Sequence, residues 1–184
     1  MLGPGELDEA VAGQRGLLRG IQCCIDVRCL VPALTLIYSA MDVVSALTRP
    51  KGAADTDKNV FQAWVSTYMS PLLTAVGCSA EDIYAARCGV VHTMTRRSQL
   101  SRTKAHVRTF VYYWCDGPRP DPSALPAQGA FQICVEDLHE AFRQGLAQLG
   151  MARAQGGQLA ARIAYHEPEL LCYRPWSSII VRAA

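Results

Sequence analysis

Residues 30–48, Leu-Val-Pro-Ala-Leu-Thr-Leu-Ile-Tyr-Ser-Ala-Met-Asp-Val-Val-Ser-Ala-Leu-Thr, leave the fold few choices. Pro32 suits a first helical turn and Pro50 stops the helix. Apolar side chains fall on nearly every side, so the helix must be buried in a core or lie in a membrane. The run is about long enough to span a bilayer. Asp42 near its middle would be costly in lipid, and no second such segment follows. The expectation is a buried bundle helix and no membrane partner. Asp42 then needs a partner of its own. It either sits at the rim beside a hydroxyl such as Ser39 or Ser45, or its carboxylate faces a basic group, for which Arg87 is the candidate.

The flanking sequence supports a helical architecture. Residues 6–28 open with acidic residues that suit a helix N-terminus, then space Leu7, Val11, Leu17, Leu18, Ile21 and Ile25 helically, although three glycines weaken the pattern. Asp55, Thr56 or Asp57 can cap a helix carrying Val60, Phe61, Trp64, Val65, Tyr68 and Met69, which Ser70-Pro71 ends. Ser79-Ala-Glu-Asp has the form of a capping box and announces another helix, followed by a basic exit over 96–104. Residues 106–115 are β-branched and aromatic and predict a strand. A loop with four prolines follows, over 116–129. A second strand is expected near 131–135, then a helix over 136–154 and a shorter one near 159–164. Residues 170–181 read as an extended tail. The whole chain, 1–184, is expected to be a single domain. Its reading is mainly α: a bundle of four to five helices with its core over 7–104, and a small antiparallel β element and a C-terminal helix in the last third.

Composition narrows the setting. Half of the 184 residues are hydrophobic and only 18% are charged, which points to surface hidden in a homo-oligomer, a homodimer being the expected form. A net charge of +2 gives no overall nucleic-acid signature, so RNA contact needs a local basic patch. Eight cysteines form no CxxC pair and no zinc-finger spacing, so neither a metal nor another cofactor is expected. The N-terminus carries no secretory pattern, and the expected location is cytoplasmic, with thiols acting mostly as small buried hydrophobes.

The chemistry-bearing stretch is Glu81-Asp-Ile-Tyr-Ala-Ala-Arg-Cys-Gly-Val-Val-His-Thr-Met-Thr95, where an arginine and a histidine share an apolar helix. Arg87 and His92 form an R-x4-H string. A five-residue step turns about 140° and rises about 7.5 Å, so they do not share a strict helix face. The long arginine side chain can still reach a cleft that His92 lines. Arg96, Arg97 and Arg102 continue the basic run. A histidine can move a proton at neutral pH, and an arginine can hold a phosphate with paired donors. That combination suits metal-free RNA cleavage, with two copies across a dimer axis supplying two proton-transfer groups.

The R-x4-H motif, the order of helices before it and the run Tyr-Ala-Ala-Arg-Cys-Gly-Val-Val-His-Thr followed by Leu100-Ser-Arg resemble the HEPN superfamily, and a group of uncharacterised bacterial proteins of similar length. The resemblance covers about residues 7–104. It implies an up-and-down helical bundle that dimerises through the motif helices around a composite RNA-cleaving cleft, in a toxin or defence context with an antitoxin or other protein partner. Arg87 and His92 take the catalytic positions, and Asp42, Tyr84, Cys88, Thr93, Arg96, Arg97 and Arg102 are the expected binding residues. Active members commonly carry asparagine, aspartate or histidine after the arginine, where this chain has Cys88. Two readings follow: an endoribonuclease, or a degenerate module that dimerises, binds RNA or docks a protein. A reactive Cys88 thiol and a metal site built from Cys23, Cys24, Cys29 and a histidine are weaker rivals.

Overall fold

The computed structural model describes residues 10–53, 57–95, 98–104, 106–117 and 130–170. These contain eight helices and two strands: α1 (Leu17–Asp26), α2 (Leu30–Leu47), α3 (Lys58–Tyr68), α4 (Ser70–Val76), α5 (Ala80–Thr93), α6 (Gln99–Thr103), β1 (Thr109–Tyr113), β2 (Ala130–Cys134), α7 (Val135–Ala154) and α8 (Gly157–His166), followed by a 3-10 turn (Glu167–Glu169). The expected helices are present, and the fold is mainly α with a small β element. The count exceeds the expected four to five because short helices fill two places read otherwise. Pro71 does not simply end α3; it also begins α4, since proline's fixed φ suits a first turn. The basic exit winds into α6 under Ser98, whose side chain caps it.

The helix expected over 6–28 is interrupted. Residues 10–12 are helical, and α1 starts only at Leu17. At Gly16 a Cβ would stand 2.8 Å from the Val11 carbonyl, so the chain folds back on itself too tightly for any larger residue. Asp57 proves to be the cap of α3, accepting from the backbone N–H groups of Asn59 and Val60 at 2.8 and 2.9 Å.

Helix α2 is the central element. It packs against α1, α3, α5, α7 and α8. It is long and apolar enough to cross a membrane, and half of it is buried against these neighbours. Its buried face, including Ile37, Tyr38, Met41 and Val44, meets Phe61, Trp64, Phe142 and Ile163 in one continuous core. Helix α7 crosses α3 closely at Gly145, where a Cβ would meet the Tyr68 carbonyl at 3.0 Å and the Trp64 ring at 3.4 Å.

The strands form a parallel pair, with Thr109 opposite Ala130 and Tyr113 opposite Cys134. This corrects the antiparallel expectation. Antiparallel partners need only a short turn, whereas parallel ones need a connection of about a dozen residues or more. The stretch 114–129 is long enough to return the chain to its starting end. Phe110 and Phe131 face the core, 5.2 Å apart between ring centroids. The Tyr112 hydroxyl meets that of Tyr38 at 2.7 Å and ties β1 to α2. Burial pushes both phenols well above their usual range.

The cysteines also depart from expectation. Of those described, only Cys134 is buried. Cys115 and Cys134 form a disulfide across the ends of the two strands. Cys23, Cys24, Cys29, Cys78 and Cys88 are free and at least partly exposed. The Pro-rich segment 118–129 and the tail beyond 170 lie outside the described residues.

Candidate functional site

Helix α5 is held at its N-terminus by a complete capping box. Ser79 Oγ accepts the Asp82 N–H at 3.2 Å, and Asp82 Oδ2 accepts the Ser79 N–H at 2.9 Å and its hydroxyl at 2.7 Å. Asp82 Oδ1 also takes the Arg108 N–H at 3.0 Å, which fastens the approach to β1 onto the same helix. One helical turn is thus fixed to both the preceding loop and the sheet. Packing against α2 and α3 buries Ile83, Ala86 and Val90 and sets the helix rotation. That rotation turns Arg87 towards α2.

Arg87 meets Asp42 there. The guanidinium Nε donates to Asp42 Oδ2 at 2.6 Å, and Nη2 lies 2.5 Å from the same oxygen. Both side chains are mostly covered, at 19% and 25% exposure. Of the two roles open to Asp42, the structure takes the pairing with Arg87; the nearby Ser45 hydroxyl donates to the Asp42 backbone carbonyl instead. Burial pushes the Asp42 carboxyl up from its ordinary range, and the Arg87 hydrogen bond and charge draw it back in part. For Arg87, burial works against the charge, but the Asp42 pairing outweighs it and leaves the guanidinium above its usual value.

The remaining nitrogen, Arg87 Nη1, lies 2.8 Å from His92 Nε2. An arginine has only donors, so Nε2 must be the acceptor and the ring proton sits on Nδ1. The 140° helical offset is therefore bridged by the reach of the arginine, not by a shared face. Nη1 also approaches the Cys88 sulfur at 3.9 Å. Tyr84 stands one turn earlier, edge-on to Phe61 at 5.6 Å. Burial raises its phenol, and the neighbouring Cys88 thiol adds to that. Thr93 Oγ1 donates to the Gly89 carbonyl and meets the Thr95 hydroxyl, closing the end of the helix.

His92 opens onto a cleft of about 590 Å³ between α5 and α6. Cys88, His92 and Thr93 form one wall, and Ser98, Leu100 and Arg102 belong to the other. Cys88, His92, Thr93 and Arg102 thus meet at the cleft, Asp42 and Arg87 are joined to it through His92, and Tyr84 stands nearer the start of α5, beside Cys88. Arg96 and Arg97 lie outside the described residues. The α6 wall was not anticipated; its one sequence signal is Ser98 placed to cap Gln99–Thr103.

At the other end of the helix Glu81 pairs with Lys104 at 2.6 Å and with His106 at 3.0 Å. Those contacts hold its carboxyl down to about 2, chiefly through the Lys104 hydrogen bond. Cys115, Cys134 and Glu136 bring ligand-type atoms within 4.8 Å of one another, but the disulfide leaves no thiolate to hold a metal. Cys23, Cys24 and Cys29 gather at the α1–α2 turn without a histidine in any metal-binding group among the described residues. No family model, curated protein or solved structure matches the chain.

Proposed function

We propose that the chain is a HEPN-like, metal-independent endoribonuclease whose working site forms where two copies bring their α5 cleft ends together, in a cytoplasmic toxin or defence setting. The observation that carries this reading is the Asp42–Arg87–His92 chain. Asp42 fixes the guanidinium, and the guanidinium presents its last nitrogen to a histidine at the mouth of a cleft. His92 Nε2, with its lone pair exposed to that contact, is suited to take the proton of a ribose 2′-hydroxyl. Arg87 Nη1, released from His92 as the substrate enters, stabilises charge on the phosphate. Arg102 supplies a further cation on the cleft wall. A second His92 from the partner copy would protonate the leaving oxygen. Met94, 71% exposed at the end of α5, offers apolar surface for that pairing.

One observation favours a second reading. All three guanidinium nitrogens of Arg87 are already engaged within a single chain, by Asp42, His92 and Cys88. A degenerate module that dimerises, binds RNA or docks an antitoxin-like protein would keep this cluster as a structural tie. Incubating the full chain with structured RNA in excess chelator separates the two. The nuclease reading expects cleavage that His92→Ala abolishes; the module reading expects RNA bound and recovered intact, or ignored.

A further inference from the structure

The Arg87–His92 chemistry leaves one reactive group of side chains unused. Cys115 lies just past β1 and Cys134 closes β2, with their Cα atoms 5.4 Å apart across the disulfide. The two sulfurs differ in access. Cys115 is exposed, whereas Cys134 is 1% exposed. Cys134 is also the N-cap of α7, a 20-residue helix whose positive end favours a thiolate. Glu136, in the first turn of α7, accepts the Cys115 N–H at 3.1 Å and places Oε2 2.9 Å from the Cys134 sulfur. Arg28 packs over the Trp114 ring and pairs with Asp116, and so holds the two sequence neighbours of Cys115. Cys23, Cys24 and Cys29 stay unpaired at the α1–α2 turn, next to one another. A chain that keeps these thiols free while closing one bridge fits exchange with a thiol pool better than a fully oxidised scaffold.

We infer that Cys115–Cys134 is a site of reversible thiol–disulfide exchange, open to a dithiol reductant at Cys115 Sγ, with Glu136 as the proton acceptor for Cys134. In opening, a thiolate of the dithiol bonds to Cys115 Sγ. The S–S bond breaks and its electron pair leaves on Cys134 Sγ, and a proton from solvent reaches that buried sulfur by way of Glu136 Oε2. The second thiolate of the dithiol attacks its own sulfur in the mixed disulfide and expels Cys115 as thiolate. The dithiol departs as a cyclic disulfide, two electrons poorer. In closing with oxidised glutathione, the Cys115 thiolate takes one glutathione and releases the other as thiolate. Cys134 then gives its proton to Glu136, attacks Cys115 Sγ, and displaces the second glutathione.

The test opens the full chain with dithiothreitol, removes the reductant, closes it with oxidised glutathione, and maps acid-quenched, alkylated peptides by mass. The expected result is that both thiols appear on opening while circular dichroism stays native, and that a Cys115–glutathione adduct precedes closure. Cys134→Ser should accumulate that adduct. Cys115→Ser should leave Cys134 unmodified. Glu136→Gln should close at least about tenfold more slowly. A bridge that opens only when the chain unfolds, or glutathione found first on Cys134, overturns the site. Closure of Glu136→Gln at the wild-type rate overturns the part given to Glu136. If a cysteine variant fails to fold, the order of adduct and closure in the wild-type time course decides alone.

Discussion

The two ends of α5 are both built on an aspartate, and they differ in how much of its bonding capacity is spent on structure. Asp82 is buried and accepts from the Ser79 and Arg108 backbone N–H groups and from the Ser79 hydroxyl. Asp42 faces one group, the Arg87 guanidinium, and that guanidinium leads onward to a histidine at the surface. Burial raises the Asp42 carboxyl, and the Arg87 hydrogen bond and charge draw it back in part. The contrast teaches how a fixed polar cluster differs from a poised one. The first closes on itself, and the second ends in an exposed group able to exchange its partner for a ligand.

That comparison predicts opposite outcomes for substitutions at the two ends. The largest expected effect is on activity. His92→Ala should lower RNA cleavage by at least about a hundredfold, since it removes the proton-transfer group, while the thermal midpoint stays near wild type. Activity assays beside thermal unfolding would check this. Asp82→Ala should do the reverse. It strands the Arg108 and Ser79 N–H groups and opens the capping box, costing about 2–3 kcal/mol by chemical denaturation, with cleavage by the remaining folded fraction unchanged. Equal loss of stability at both ends would dissolve the distinction.

Asp42→Asn is the intermediate case. It leaves a mostly covered guanidinium without its counter-charge, at a cost of about 1 kcal/mol given the residual solvent access. Its larger consequence should be on cleavage, because Arg87 is no longer aimed. A double-mutant cycle with Arg87→Lys would show coupling between the two positions, since lysine lacks the planar fork.

The smallest effect concerns Glu81. Its folded carboxyl titrates near 2, against an ordinary value of 4.5. Its pairs with Lys104 and His106 therefore contribute fully above about pH 4.5 and are lost as the pH falls towards 2. Both partners are solvent-exposed enough to hold that contribution below about 1 kcal/mol. The stability difference between wild type and Glu81→Gln should shrink over this window; a difference that grows on acidification would reverse the assignment.

Much of this contrast was legible in the sequence, for local reasons. The capping box at Ser79–Asp82 acts over three residues, so spacing alone reveals it; before α3, spacing leaves Asp55, Thr56 and Asp57 open, and the structure shows Asp57 as the cap. The Asp42–Arg87 pairing spans 45 positions, yet it could be read because a charge in an apolar helix needs a partner. The direction of the strands could not. Side-chain alternation is the same for parallel and antiparallel strands, and only the length of 114–129 hinted at a return crossing. The Cys115–Cys134 bridge depends on that register and was equally hidden. Helix α4 was obscured because Pro71 was read only as a stop. The cleft wall from α6 was missed because a basic, polar run reads as a loop.

The account rests most heavily on His92 as a working group rather than a surface tie of Arg87. The most direct measurement is cleavage of a structured RNA by the full chain in excess chelator, run beside His92→Ala at matched folded concentration. The account predicts discrete products from the wild type and none from the variant. Intact RNA with the wild type, or equal cleavage by both proteins, would contradict it.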